Sequence, residues 1–102
     1  MITVNRHTLE NGLRIVHSED KNTQMVALNV LYNVGARDEH PDHTGFAHLF
    51  EHLMFGGSVH IPDYDVHVQN AGGESNAWTN NDIAIYYITV PRQNIETGFW
   101  LE

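Results

Sequence analysis

The sequence predicts an α+β domain, a mostly antiparallel sheet with helices packed on it. Three observations carry that prediction. A turn signal, Asn11-Gly12, separates two strand-like runs near the start. Apolar strand patterns recur at Met25 to Tyr32 and at Ile83 to Val90, and two helical stretches bounded by glycine pairs lie between them.

Taken in order, Thr3 to Leu9 and Leu13 to His17 read as strands. Asn11-Gly12 suits a type I′ hairpin turn, which needs positive φ at both central positions. In Met25 to Tyr32, Val26, Leu28, Val30 and Tyr32 point one way, and Ala27, Asn29 and Leu31 the other. Gly35 to Gly45 is polar, contains Pro41 and reads as a loop. A helix is expected from about Gly45 to Phe55, with Thr44 as N-cap and Gly56-Gly57 as its stop. A second helix starts with Pro62 in its first turn and ends at Gly72-Gly73. Ser75 to Thr79 and Ile83 to Val90 are strands separated by Asn80-Asn81-Asp82. The latter is apolar on both faces, which predicts a central strand covered on both sides. After Pro91 a helical pattern begins with Ile95 and Phe99 and runs uncapped to Glu102, so a longer protein is expected.

Composition narrows the function. A chain of 102 residues with 41% apolar content holds one small domain and is neither disordered nor fibrous. There is no cysteine, so a transition metal would have to sit on His, Asp or Glu, and the chain has eight His. A net charge of −8 with five Lys and Arg argues against nucleic acid and against an anionic membrane surface. No apolar run approaches the ~20 residues of a membrane span. The opening Met1-Ile2-Thr3-Val4-Asn5-Arg6 lacks a signal-peptide pattern, which makes cytoplasmic the expected location.

The first helix carries the chemistry. At about 100° per residue, Phe46, Leu49, Phe50 and Leu53 form one stripe, expected to face the core. His48, Glu51, His52 and Phe55 fall on the opposite side. Two His one turn apart can bind one Zn2+, and Glu51 lies beside them. Zinc lowers the pKa of bound water to about 7 and polarises a carbonyl, while a nearby carboxylate can take the proton and pass it to a leaving amine. The order His48-Leu49-Phe50-Glu51-His52 is the inverted zincin signature. A solvated helix face would carry the same letters, so spacing alone leaves that alternative open.

Beyond the pentapeptide, the chain resembles the family of pitrilysin and insulin-degrading enzyme, which also includes the mitochondrial processing peptidases. The resemblance spans essentially the whole chain. It rests on the Asn11-Gly12 hairpin, on Val34-Gly35-Ala36-Arg37-Asp38-Glu39, on Thr44 to Phe55, and on Gly72-Gly73-Glu74-Ser75-Asn76-Ala77-Trp78-Thr79. It implies that His48 and His52 are zinc ligands and Glu51 the general base of an endopeptidase. It also implies that Asn76 to Thr79 is an edge strand to which an extended peptide or unfolded polypeptide adds, with Asn76 and Ala77 nearest the cut. Phe55 is a candidate for the same substrate surface, with plain packing as the alternative. Trp78 is expected to be a core or sheet-face residue.

The family's third ligand, a Glu on a later helix, has no counterpart at the right separation here. Residues 1–102 are therefore expected to form the N-terminal part of a zinc peptidase catalytic domain, the first half of one lobe, inactive alone. A second lobe or a partner subunit is the implied neighbour, and exposed edges with Phe99-Trp100-Leu101 favour self-association of the isolated chain. Two other readings stay open: a non-catalytic partner or structural subunit of the same family, and a metal-binding module unrelated to proteolysis. His7, His17, His40, His43, His60 and His67 are expected to have no metal role.

Overall fold

The computed structural model describes residues 1–102. Its first two strands, β1 (Asn5–Thr8) and β2 (Arg14–His17), pair antiparallel with Thr8 opposite Arg14. The hairpin is where expected, but its turn is not type I′. Gly12 has φ +89° and no non-glycine residue has positive φ, so Asn11 stays in the ordinary region. Gly12 N–H donates to Leu9 O at 2.9 Å, and Leu9 N–H to Leu13 O at 2.8 Å. Asn11 Oδ1 accepts from Leu13 N–H at 3.0 Å. Glycine alone takes the left-handed position in this three-residue loop, giving a type I turn with a glycine bulge.

The main sheet is built from β3 (Met25–Tyr32), β4 (Glu74–Thr79) and β5 (Ala84–Pro91), in the spatial order β3-β5-β4 and antiparallel throughout. As expected, β5 is central. Ala84, Tyr86, Ile88 and Val90 point to its buried face, and Ile88 and Val90 are 0% exposed. The expectation that both faces would be covered does not hold, because Ile85, Tyr87 and Thr89 are only half-buried. All three helices contribute to the Ile88 side, and on the other face Leu31 and Trp78 stay exposed.

The helices are α1 (Phe46–Gly56), α2 (Tyr64–Asn70) and α3 (Ile95–Leu101), with α3 preceded by a single 3-10 turn at Arg92–Asn94. The cap of α2 is Asp63, whose Oδ1 accepts from Val66 N–H at 3.2 Å, so Pro62 precedes the helix and is not in its first turn as expected. Tyr64, Val68 and Ala71 from α2 and its end, Ile88 and Val90 from β5, and Leu101 from α3 form the core. Leu28, Phe55 and Ile61 pack against it. Antiparallel sheets with helices on one face make this an α+β fold, as the sequence predicts. Ten of 102 residues are buried, so much apolar surface stays open to solvent. No helix is long and apolar enough to cross a membrane.

One loop ties the sheet to α1. After β3 the chain makes a 3-10 turn at Ala36–Asp38 against the turn between β4 and β5. Ala36 N–H donates to Asn80 O at 3.1 Å and Arg37 N–H to Asn81 O at 2.9 Å. Arg37 Nη1 lies 2.9 Å from Asp82 Oδ1. A Cβ on Gly35 would come within 2.5 Å of Asn80 O, so only glycine permits this approach.

Candidate metal centre and active site

Both ends of α1 are set by residues outside it. Its N-cap is Gly45, not Thr44, and no side chain at that position makes a cap. Glu39 does so from the preceding loop. Its Oε2 accepts from Gly45 N–H at 2.7 Å and its Oε1 from Ala47 N–H at 2.8 Å. Gly45 O then accepts from Leu49 N–H at 2.9 Å, opening the helical ladder. The helix stops at Gly56 with Gly57 at φ +93°, as the glycine pair predicts.

The packed face of α1 differs from the expected one. Phe46, Leu49, Phe50 and Leu53 are 44%, 48%, 56% and 53% exposed. Ala47, Glu51 and Phe55 are half-buried instead. The helical wheel groups residues but does not say which group meets the sheet, and this chain supplies no surface for the apolar stripe. Phe55 packs its ring edge-on against Tyr64 at 5.5 Å and lies 6.4 Å from Tyr86. These contacts leave the ring half-buried, so part of it stays uncovered.

His48 and His52 stand exposed beside that packed row, with ring centroids 4.7 Å apart. Their Nε2 atoms are 2.9 Å apart, so one ring donates and the other accepts. Two nitrogens bound tetrahedrally to one zinc, each at ~2.0–2.1 Å, would lie roughly 3.3 Å apart. The pair needs an adjustment of about half an ångström to hold the ion, within the reach of small side-chain rotations. Glu51, in the same turn, is half-buried and close enough to act on Tyr86 of the sheet. Burial raises the Tyr86 pKa above its ordinary value, and the charge of Glu51 adds to the rise. No group of three His, Cys, Asp or Glu residues in the chain is placed to hold a metal, so these residues amount to two donors and a carboxylate.

Beside α1 runs β4, the outer strand of the sheet opposite β3. Asn76 is exposed, and its Oδ1 accepts from Ala77 N–H at 2.8 Å. Trp78 is an exposed residue of the outer sheet face. A cleft of about 420 Å³ opens between the start of α1 and the end of β4, with Thr44, Ala47, His48, Thr79 and Asn81 on its walls. Thr79 Oγ1 is buried without a hydrogen-bond partner. Sequence reasoning placed Glu39 and Thr79 in family-like segments but missed the cap made by the one and the buried, unpartnered hydroxyl of the other, which come from contacts that no spacing announces. The other histidines lie elsewhere: His40 and His43 have ring centroids 5.8 Å apart in the loop before α1, and His67 packs edge-on against Trp100.

The model of the insulinase family, peptidase family M16, matches residues 14–99. The chain belongs to the insulinase family. Among its insulinase-family relatives, the zinc protease PqqE of Helicobacter pylori is 38% identical over 97 residues, which cover 92% of this chain and 22% of that protein. The mitochondrial-processing peptidase subunit beta of Dictyostelium discoideum is 30% identical over 91 residues, 86% of this chain and 19% of that subunit. The crystal structure of a protease from Helicobacter pylori superposes with a TM-score of 0.90 at 35% identity, over 99% of this chain and 25% of that one. The insulinase-family chain described here thus spans about a fifth to a quarter of the length of these relatives.

Proposed function

We propose that the chain is part of a zinc-dependent endopeptidase in which His48 and His52 hold the metal and Glu51 is the general base. The observation that carries this reading is the Nε2 pair at 2.9 Å on one helix face, with Glu51 in the same turn. A zinc ion there would acidify water and polarise a peptide carbonyl. The carboxylate oxygen of Glu51 would take a proton from water as the water oxygen bonds to the peptide carbonyl carbon, and would return it to the amine nitrogen as the C–N bond breaks. Glu51 is half-buried and lies in the same helical turn as the two imidazoles.

The free edge of β4 receives the peptide. An extended segment pairing there is held in register by main-chain hydrogen bonds, with Asn76 and Ala77 nearest the scissile bond. Phe55 contributes through the part of its ring that Tyr64 and Tyr86 leave uncovered. Names among the relatives that include zinc protease support the reading. The third protein ligand, and a second lobe or partner subunit, belong to chain outside these residues. The 102 residues alone are expected to bind zinc weakly and to cleave nothing.

The test is Glu51→Gln in a protein of the relatives' length that carries this chain. Zinc should stay bound, and peptide cleavage should fall by about 10²-fold or more. Unchanged turnover would remove Glu51 from the reaction, and an absence of turnover in the parent would favour a non-catalytic partner subunit.

A further inference from the structure

Glu39 is the one side chain that secures the start of α1. The helix opens on Gly45, which has no side chain, and Thr44 makes no cap. Among the first orphan amides, those of Gly45 and Ala47 are both taken by the Glu39 carboxylate, at 2.7 and 2.8 Å. Such short bonds are typical of an ionised acceptor, and a negative charge at this end also suits the helix dipole. Glu39 is half-buried, which limits screening by salt.

Glu39 is itself anchored. Its N–H donates to Ala36 O at 3.3 Å, and the neighbouring Ala36 and Arg37 amides are bonded to Asn80 and Asn81 at the end of β4. A continuous line of bonds therefore runs from the β4–β5 turn through Glu39 to Ala47, the residue just before His48. Fraying of the first turn would move His48 more than His52, which lies one turn further in.

We propose that Glu39 is a positioning residue of the site: its carboxylate clamps the first turn of α1 so that His48 stays within reach of His52 and at a set distance from the edge of β4. The consequence for zinc rests on the function proposed above, whereas the effect on the two rings does not.

The experiment compares Glu39→Ala and Glu39→Gln with the parent chain by NMR, with Zn2+ as the probe. Amide exchange at Ala47 and Leu49 is referred to that at Ile88 and Val90 in the core. Glu39→Ala should speed exchange at the helix start about tenfold relative to the core, and raise the Zn2+ concentration that shifts the His48 and His52 ring signals by about as much. Glu39→Gln keeps one acceptor oxygen and should recover part of both effects; if Glu39→Ala does not fold, Glu39→Gln is judged by the same ratios. Equal acceleration at core and helix start, or an unchanged zinc titration, overturns the proposal. If the parent rings ignore Zn2+, the zinc reading fails. The ring-to-ring nuclear Overhauser effect between His48 and His52 then decides for Glu39: it must weaken in Glu39→Ala, and an unchanged effect overturns the proposal.

Discussion

Along α1, the row Ala47, Glu51 and Phe55 lies against the sheet, while the far more apolar row Phe46, Leu49, Phe50 and Leu53 lies in solvent. An apolar stripe states that a surface favours cover; it does not say what will cover it. The covalent chain brings Tyr64 and Tyr86 to one side only, and Phe55 meets them there. The imidazoles stand beside the packed row.

Three substitutions can break or sharpen that contrast. The largest effect is expected from Phe55→Ala, which opens a hole beside Tyr64 and Tyr86. A loss of about 2–3 kcal/mol in urea unfolding is expected, below the 3–5 of a fully buried Phe because the ring is half-buried. A loss under about 1 kcal/mol would mean that the row is not packed.

Tyr64→Phe, on the residue that meets Phe55, comes next. It removes the 2.7 Å bond that Tyr64 Oη donates to Glu102 Oε1, worth about 1–2 kcal/mol at neutral pH. Burial pushes the Tyr64 pKa well above its ordinary value, followed by the bond to Glu102 and the charges of Glu102 and Asp65. Because the folded-state pKa is the raised one, this stability is complete below the unfolded value of about 10 and falls as pH climbs beyond it. Denaturant midpoints measured across that range should decline in the parent and flatten in Tyr64→Phe. Some slope remains, because Tyr86 is shifted in the same direction. An equal decline in both proteins would show that Tyr64 does not titrate in this way.

The smallest change in stability belongs to the exposed row. Phe50→Ser should leave unfolding within about 0.5 kcal/mol of the parent while reducing self-association in sedimentation velocity. A destabilisation above about 1.5 kcal/mol would place that row in a packed interface after all.

What was legible in the sequence was local. Met25 to Tyr32 matches its strand end to end, because alternation is a property of neighbouring residues. The glycines around α1 marked its limits, and the spacing of His48, Glu51 and His52 put them on one side. The turn type at Asn11 was misread from the Asn-Gly pair alone: three residues separate the bonded Leu9 and Leu13, and a loop of that length favours a type I turn with a glycine bulge. Nor was the Glu39 cap, which reaches six and eight residues along the chain from a loop with no periodic pattern. The orientation of α1 about its own axis depends on long-range partners, so the wheel grouped its residues correctly and assigned the packed face wrongly. The position of Asn76 and Ala77 on an outer strand followed from family resemblance, not from any pattern in Glu74 to Thr79.

The bond from Ala77 N–H to Asn76 Oδ1 has a consequence for traffic at the edge of the sheet. An exposed strand edge recruits any extended chain that drifts past, including another copy of itself. Here one of the recruiting amides is already satisfied by its own neighbour. A newcomer must displace the carboxamide before it can bond at that position, so the local gain is one hydrogen bond exchanged for another and close to zero. Only a segment that makes further contacts along the strand gains from staying. Any extended segment that pairs along this edge would therefore have to exchange the Asn76 carboxamide for its own carbonyl at Ala77.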